Sequence, residues 1–489
     1  MSDALAGLEP RSLWGHFSAI AAIPRPSKHE ERIVAWVREL AARHDFALAT
    51  DAVGNLVLDV PASPGREAAP TVVIQGHLDM VGEKNSDVTH DFMNDPIRPR
   101  IDGEWVRATG TTLGADNGLG VAAALAVATD PAVVHGPLQL LFTLDEETGL
   151  TGAQGLDAGM IRGRTLLNLD SEEDGAIYVG CAGGADTHLL LQLQRAAPPA
   201  GARPYRLTVR GLLGGHSGMN IVENRGNAIK LLCRVLDAAG GAAVEFALAE
   251  LGGGRMHNAI PREAEALLHL GADAAQRLGP VVAGCLEEFR KELAGIDEGL
   301  EIELAAAEEA AGGDALTAAD RDRLLRLLLA LPHGVLAMSQ DIVGLVETSS
   351  NLAAVRPDGE RLRVVTSSRS SLAPALRAVQ GSIAAAAGLA GAEVETHDGY
   401  PGWKPDMNSA VLAVVREVYA GIWQQEPKVA AIHAGLECGL LGEKIEGLDM
   451  ISFGPRIEGA HSPDERAHIG STARFWKALV QVLDRLSQV

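Results

Sequence analysis

Cysteine is scarce. The 489 residues hold four, Cys181, Cys233, Cys285 and Cys438. None forms a C-x-x-C pair and all lie far apart, which argues against a thiolate zinc site and against a disulfide framework. No apolar run approaches the ~18 residues that a membrane-crossing helix needs. The Ala/Leu stretches near 322–331 and 382–390 are broken by Arg or Gly and read as amphipathic or buried helices. Positive charge is also short: 42 Lys+Arg stand against 64 Asp+Glu, a formal net charge of -22. An acidic surface repels nucleic acid and anionic lipid, so neither nucleic acid nor a membrane is an expected partner. Met1 to Pro10 lacks a basic start followed by an apolar stretch. No secretory signal is expected there, and a cytoplasmic location is. No convincing short-period repeat is visible.

What is present is an ordinary globular composition, 47% apolar and 22% charged. Single cores stop growing near ~250–300 residues, so this length predicts two domains. Residues 11–45 read as helices interrupted at Pro24 and Pro26, with Ser27-Lys28-His29-Glu30 as a capping box. Short apolar runs then end in polar residues. Val72-Val73-Ile74 leads into Gly76-His77-Leu78-Asp79, Leu138 to Leu144 into Asp145-Glu146-Glu147-Thr148, and Leu166-Leu167 into Asn168-Leu169-Asp170. Leu119 to Ala128 is an Ala-rich helix between the first two. Apolar strands alternating with helices predict an α/β fold with a mostly parallel sheet covered on both faces. After about 186 the strands at 187–193 and 204–210 alternate apolar and polar residues, as in a one-sided antiparallel sheet. Helices are expected around 224–239 and 273–293, a surface helix or loop over 304–318, and strands at 342–347, 351–356 and 361–368. The chain is thus read as a catalytic domain formed by 1–186 and 396–489, with an inserted α+β domain over 187–395. A helix over 471–487 ends it.

In open α/β sheets, ligands bind beyond the carboxyl ends of the strands. The histidine and acidic residues collect there. His77 and Asp79 are two apart on a strand and point to one side. Asp116 sits in a Gly-flanked turn, Glu146 and Glu147 are adjacent at a strand end, and Asp170 ends the next strand. His461 comes late, in Gly459-Ala460-His461-Ser462-Pro463-Asp464-Glu465. Each alone reads as a satisfied polar residue, a helix start or a turn cap. Together they supply imidazole and carboxylate ligands for a two-zinc hydrolytic site, with one carboxylate left over as general base.

The series His77-x-Asp79, Gly-Ala-Asp116-Asn117-Gly, Asp145-Glu146-Glu147-Thr-Gly, Asp170-Ser-Glu and His461 resembles the M20 family of metallopeptidases. The Gly-His-Leu-Asp-Met-Val form of the first motif resembles its aminoacyl-histidine dipeptidase branch most. Gly214-Gly215-His216-Ser217-Gly218, His433-Ala434-Gly435-Leu436-Glu437-Cys438-Gly439 and the His461 segment look like that branch too. The likeness spans nearly the whole chain and is least distinct near 300–318. It implies that His77, Asp116 and Asp170 hold one metal, that Asp116 bridges, and that Glu147 and His461 complete the second. Asp79 would orient His77, and Glu146 would be the general base. A cis peptide is implied at Asp116-Asn117.

For the inserted domain, the resemblance implies that His216 helps hold the oxyanion. The plainer alternative is a turn histidine bonded to backbone. Asn258 and Arg369 would hold the substrate's carboxylate or carbonyl, although Arg369 also reads as a surface strand arginine. Gly435 would let backbone approach the ligand, or simply permit a tight turn. The implied activity is hydrolysis of dipeptides, including Xaa-His dipeptides such as carnosine. Two divalent ions are implied, Zn²⁺ first, with Mn²⁺ or Co²⁺ as alternatives. The inserted domain would act as a closing lid and as the interface of a homodimer. The alternatives are an N-acyl amino acid amidohydrolase, a tripeptidase, or a non-catalytic metal-binding relative, and retention of Glu146 speaks against the last.

Overall fold

The computed structural model describes residues 4–308, 313–397 and 399–488. The chain forms two compact units. One comprises Met1–Cys181, Trp403–Ala431 and Leu436–Val489, and the other Ala182–Gly402 with Ile432–Gly435.

The first unit opens with helices Arg11–Ala21 and Glu31–Arg43, separated by the two prolines. Ile33, Val37 and Leu40 recur at helical spacing and are buried, which places the second helix on its core. The expected capping box does not form. Ser27 instead donates to Asp79 Oδ2 at 2.8 Å, and Glu30 Oε1 accepts from the N–H groups of Lys28 and Asp145 at 3.0 Å each. Tertiary partners outbid the local cap.

An eight-stranded sheet follows. Its centre is parallel: Val72–His77 pairs with Leu138–Thr143 on one side and Thr165–Asn168 on the other, and the latter pairs with Asp449–Ser452. Antiparallel strands flank this centre, among them Leu56–Val60 beside Leu138–Thr143. The central strands are buried throughout, as their near-continuous apolar runs predict. Helix Ala115–Thr129 is apolar on nearly every side and buried accordingly. Its start is not helical at Asp116 and Asn117, where the peptide bond is cis as the resemblance implies. The final helix runs over Ile469–Leu486.

The second unit is a nine-stranded antiparallel sheet with its helices sharing one core. It contains a duplication that no sequence repeat announces. Strands Arg203–Arg210, Ala247–Gly253, Ala264–Leu270 and Glu301–Ala306, with helices Ala228–Gly241 and Ala272–Glu292, run in the order βαββαβ. Strands Gly183–Gln192, Val346–Asp358, Arg361–Ser370 and Glu393–Thr396, with helices Ala318–Ala330 and Ala373–Leu389, repeat that order around the first set. In space each half is ordered fourth, first, third, second, and the two second strands meet at Gly253 and Val355.

Two expectations change. The strands expected at 342–347 and 351–356 are one strand, Val346–Asp358. The polar Thr348-Ser349-Ser350 run stays inside it because each hydroxyl is buried with a partner: Ser370, His433 and Ser368 respectively. Of the helix or loop expected over 304–318, residues 309–312 lie outside the described residues. The described flanks are extended, with Glu301–Ala306 pairing to Arg203–Arg210 and Ala315–Leu316 to Arg195–Ala196.

Candidate metal centre and substrate groups

The carboxyl ends of the parallel strands bring the first unit's candidate residues together. His77 is the last residue of its strand, 1% exposed. Its Nδ1 lies 3.2 Å from Asp79 Oδ1, and its Nε2 lies 3.1 Å from Asp116 Oδ1 and 3.4 Å from Asp170 Oδ1. The other oxygen of Asp116 lies 3.1 Å from His461 Nε2, which is 2.9 Å from Glu147 Oε2. His77–Asp116–Asp170 and Asp116–Glu147–His461 therefore form two imidazole–carboxylate sets that share Asp116. Within each, the candidate ligand atoms lie within 4.8 Å of one another. Asp79 does more than face His77. Its oxygens accept the N–H groups of Glu146 at 3.0 Å and Glu147 at 3.2 Å, so one carboxylate sets both the imidazole and the acidic turn.

The cluster is short of positive charge. Burial pushes the Asp170 carboxyl up to about 6 against the pull of His77, and pushes Glu146 well above the carboxylate range, with Asp170, Glu437 and Glu147 adding repulsion. Burial opposes protonation of His77, but Asp170, Asp116 and Asp79 overcome it and hold its pKa well above the ordinary value. Glu147 Oε1 is buried with no hydrogen-bond partner, and Asp170 Oδ1 has only the long 3.4 Å approach of His77 Nε2. Buried carboxylate oxygens without donors are costly unless a cation completes them. The donor set, nitrogen and oxygen with no sulfur, suits divalent ions of the zinc, manganese and cobalt kind.

Several supporting residues escaped the sequence reading. Glu465 is buried and accepts four backbone N–H groups, those of Leu113, Gly114, Ala115 and Asp116, tying the His461 segment to the Asp116 turn. Arg25 is buried and donates to the carbonyls of Leu78, Asp79 and Gly114. Glu437 is fully buried and accepts from Gln75 Nε2 at 2.5 Å and Thr143 Oγ1 at 2.8 Å. Gln75 in turn accepts from Asn168 at 2.5 Å, so a polar layer crosses the strands just below the ligands. Burial pushes Glu172 up to about 8, with Asp116 and Asp170 adding to it. Glu437 and Glu465 lay inside motifs quoted for their histidines; a carboxylate in a strand-end or glycine-rich motif was the available signal. Arg25 had none beyond its two flanking prolines.

In the second unit, Gly215–His216 pairs with Ala259–Ile260, and Ser217 donates to the carbonyl of Asn258 at 2.8 Å. His216 Nδ1 accepts the N–H groups of Gly218 at 3.3 Å and Met219 at 3.1 Å. An accepting Nδ1 places the hydrogen of the neutral ring on Nε2. Burial, with the neighbouring Arg369 and His257 acting in the same direction, lowers the His216 pKa to about 4. The backbone bonds of the plainer reading are thus present, and they leave Nε2 as a donor. Arg369 is not a surface arginine. It is 6% exposed at the end of its strand, gives Nη1 to the Tyr400 hydroxyl at 2.6 Å, and sets Nη2 3.5 Å from His216 Nε2. Its Nε is buried without a partner. Gly435 abuts a ring rather than open space: a Cβ there would lie 2.7 Å from Tyr400.

A mixed α/β fold whose strand ends carry two such donor sets is the architecture of a metallopeptidase. The chain belongs to peptidase family M20/M25/M40, whose model matches residues 73–485. It is 44% identical over 484 residues to the cytosol non-specific dipeptidase of Escherichia coli strain K12, covering 99% of each chain. The crystal structure of aminoacylhistidine dipeptidase from Vibrio alginolyticus superposes with a TM-score of 0.92 at 42% identity, covering 98% of each chain. Aminopeptidase PepT from Bacillus cereus shares the fold, with a TM-score of 0.58 at 15% identity, covering 98% of this chain and 100% of that one.

Proposed function

We propose that the protein is a dipeptidase that works with two divalent cations, Zn²⁺ first and Mn²⁺ or Co²⁺ as alternatives, and that Xaa-His dipeptides such as carnosine are among its substrates. The observation that carries this reading is Asp116, whose two oxygens each face a different imidazole at 3.1 Å. The dipeptidase activities of the Escherichia coli and Vibrio relatives support the substrate class. His77, Asp116 and Asp170 would hold one ion, and Asp116, Glu147 and His461 the other. When bound, such a pair lowers the pKa of a water and polarises the scissile carbonyl.

The chain's own groups do the rest. Glu146 is the base: its carboxylate takes a proton from the attacking water and delivers it to the leaving amine nitrogen. Asp79 holds the His77 ring and the Glu146 backbone in place. In the second unit, His216 offers Nε2–H to the developing oxyanion. Arg369, with Asn258 next to the strand that pairs with His216, binds the substrate's carboxylate or carbonyl. Assembly as a homodimer through the second unit and a cytoplasmic location belong to the same reading; family resemblance supports the first and the cytosolic relative the second. Among the described residues no helix is long and apolar enough to cross a membrane.

A substrate panel tests the proposal: carnosine, Gly-Gly, a tripeptide and N-acetyl-Met, each with and without Zn²⁺, Mn²⁺ or Co²⁺. Metal-dependent cleavage of the dipeptides is expected. Cleavage of only the tripeptide or only N-acetyl-Met would replace the substrate class, and no cleavage at all would leave a metal-binding relative.

A further inference from the structure

Tyr400 has no part in the reading above, yet the second unit is built tightly around it. Its ring lies between two glycines from distant segments. A Cβ on Gly184 would fall 2.7 Å from the Tyr400 hydroxyl oxygen and 2.8 Å from the ring, and a Cβ on Gly435 would fall 2.7 Å from the opposite edge. Real Cβ atoms do not come within 3.0 Å of such neighbours. Backbone bonds fix the same place: Tyr400 and Gly184 exchange both N–H···O bonds at 3.0 Å. Gly184 is also the residue directly opposite Arg369 in the sheet. Cross-strand neighbours have adjoining side chains. A side chain at 184 would occupy the space beside the arginine, and the tyrosine hydroxyl fills it instead.

We infer that Tyr400 is the positioning residue for Arg369. It accepts Nη1 at 2.6 Å. That bond, with the strand backbone, fixes the plane of the guanidinium and leaves its Nε–Nη2 edge. Among the described residues Nε is buried without a partner, and Nη2 meets His216 Nε2, itself a donor, at 3.5 Å. A side-on Nε–Nη2 edge matches a carboxylate in bidentate fashion. The ligand class is therefore a peptide with a free C-terminal carboxylate, and Gly184 and Gly435 are glycines because the tyrosine slot requires it. This inference rests on the dipeptidase reading.

The test compares a dipeptide with its C-terminal amide. Tyr400→Phe removes the hydroxyl and keeps the ring in its slot. It should raise KM for the dipeptide about 10-fold, the size of a lost hydrogen bond to a charged group. KM should move more than kcat, bound metal should stay unchanged, and the preference for carboxylate over amide should shrink. In an Arg369→Ala background, Tyr400→Phe should add nothing. Binding of both ligands to Glu146→Ala protein, measured by calorimetry, reads the same preference without turnover. Gly435→Ala should move KM in the same direction, and if it fails to fold, Tyr400→Phe carries the test alone. An unchanged carboxylate preference in Tyr400→Phe, or effects of Tyr400→Phe and Arg369→Ala that add, would overturn the role. If the unaltered protein cleaves no dipeptide, the dipeptidase reading falls and this role with it.

Discussion

Asp79 Oδ1 sits 3.2 Å from His77 Nδ1, and both side chains are sealed from solvent. Burial pushes the Asp79 carboxyl up, but His77, the Glu146 N–H and the Ser27 hydroxyl outweigh it and hold the group well below its ordinary range. In the proposed centre this anion would fix the His77 imidazole and make it a better ligand. Asp79→Asn should weaken metal affinity by about 10- to 100-fold. Competition against a chelating dye measures this, and an unchanged affinity would remove Asp79 from the site.

The proposed function gives the neighbours Glu146 and Glu147 different tasks. Glu147 Oε2 lies 2.9 Å from His461 Nε2, whereas Glu146 lies beside His77 without pairing to it. Glu146→Ala should keep its metal and lose about 10²–10⁴-fold in kcat. Metal analysis of the purified variant beside its turnover separates the roles; loss of metal would mean that the two glutamates are exchanged.

Much of this centre was legible because its chemistry is local to strand ends. An apolar run that stops at His or Asp marks both the strand and the place where ligands gather, and His77, Glu147 and Asp170 follow from that rule. His461 does not, and needed the resemblance. Tertiary pairings stayed hidden. Nothing in Ser27-Lys28-His29-Glu30 says that Ser27 prefers Asp79 to its own helix. Nothing in Thr348-Ser349-Ser350 says that its hydroxyls are partnered inside a strand. The duplication in the second unit was invisible because one half is inserted into the other, so topology repeats while sequence does not. Tyr400 was missed because its function is set by two glycines remote from it in sequence.

His216 should stay neutral across the physiological range. Its folded pKa is lowered to about 4 from the ordinary 6.5. Between those values the unfolded chain binds the proton and the folded one does not. Its contribution to stability is therefore present above about 6.5 and is lost as pH falls through about 4. NMR titration of the ring should give a midpoint near 4, and Arg369→Ala should raise it by removing a nearby cation. A midpoint near 6.5 would contradict the burial of this ring.

Glu437 supports the strands under the ligands. Glu437→Ala leaves the Gln75 amide and the Thr143 hydroxyl without their shared acceptor, at a cost of about 1–3 kcal/mol in stability. Glu437→Gln keeps an acceptor in place and should cost less. Urea unfolding of both variants against the unaltered protein checks the order, and equal stability of all three would show that the polar layer is not structural.

The two-ion dipeptidase reading is met most directly by metal titration. The protein is stripped with chelator, and Zn²⁺ is returned in known equivalents while dipeptide hydrolysis is followed. Stripped protein should be inactive, and hydrolysis should rise to a plateau at about two equivalents per chain, one for each donor set that shares Asp116. Undiminished hydrolysis of the dipeptide by fully stripped protein would contradict it.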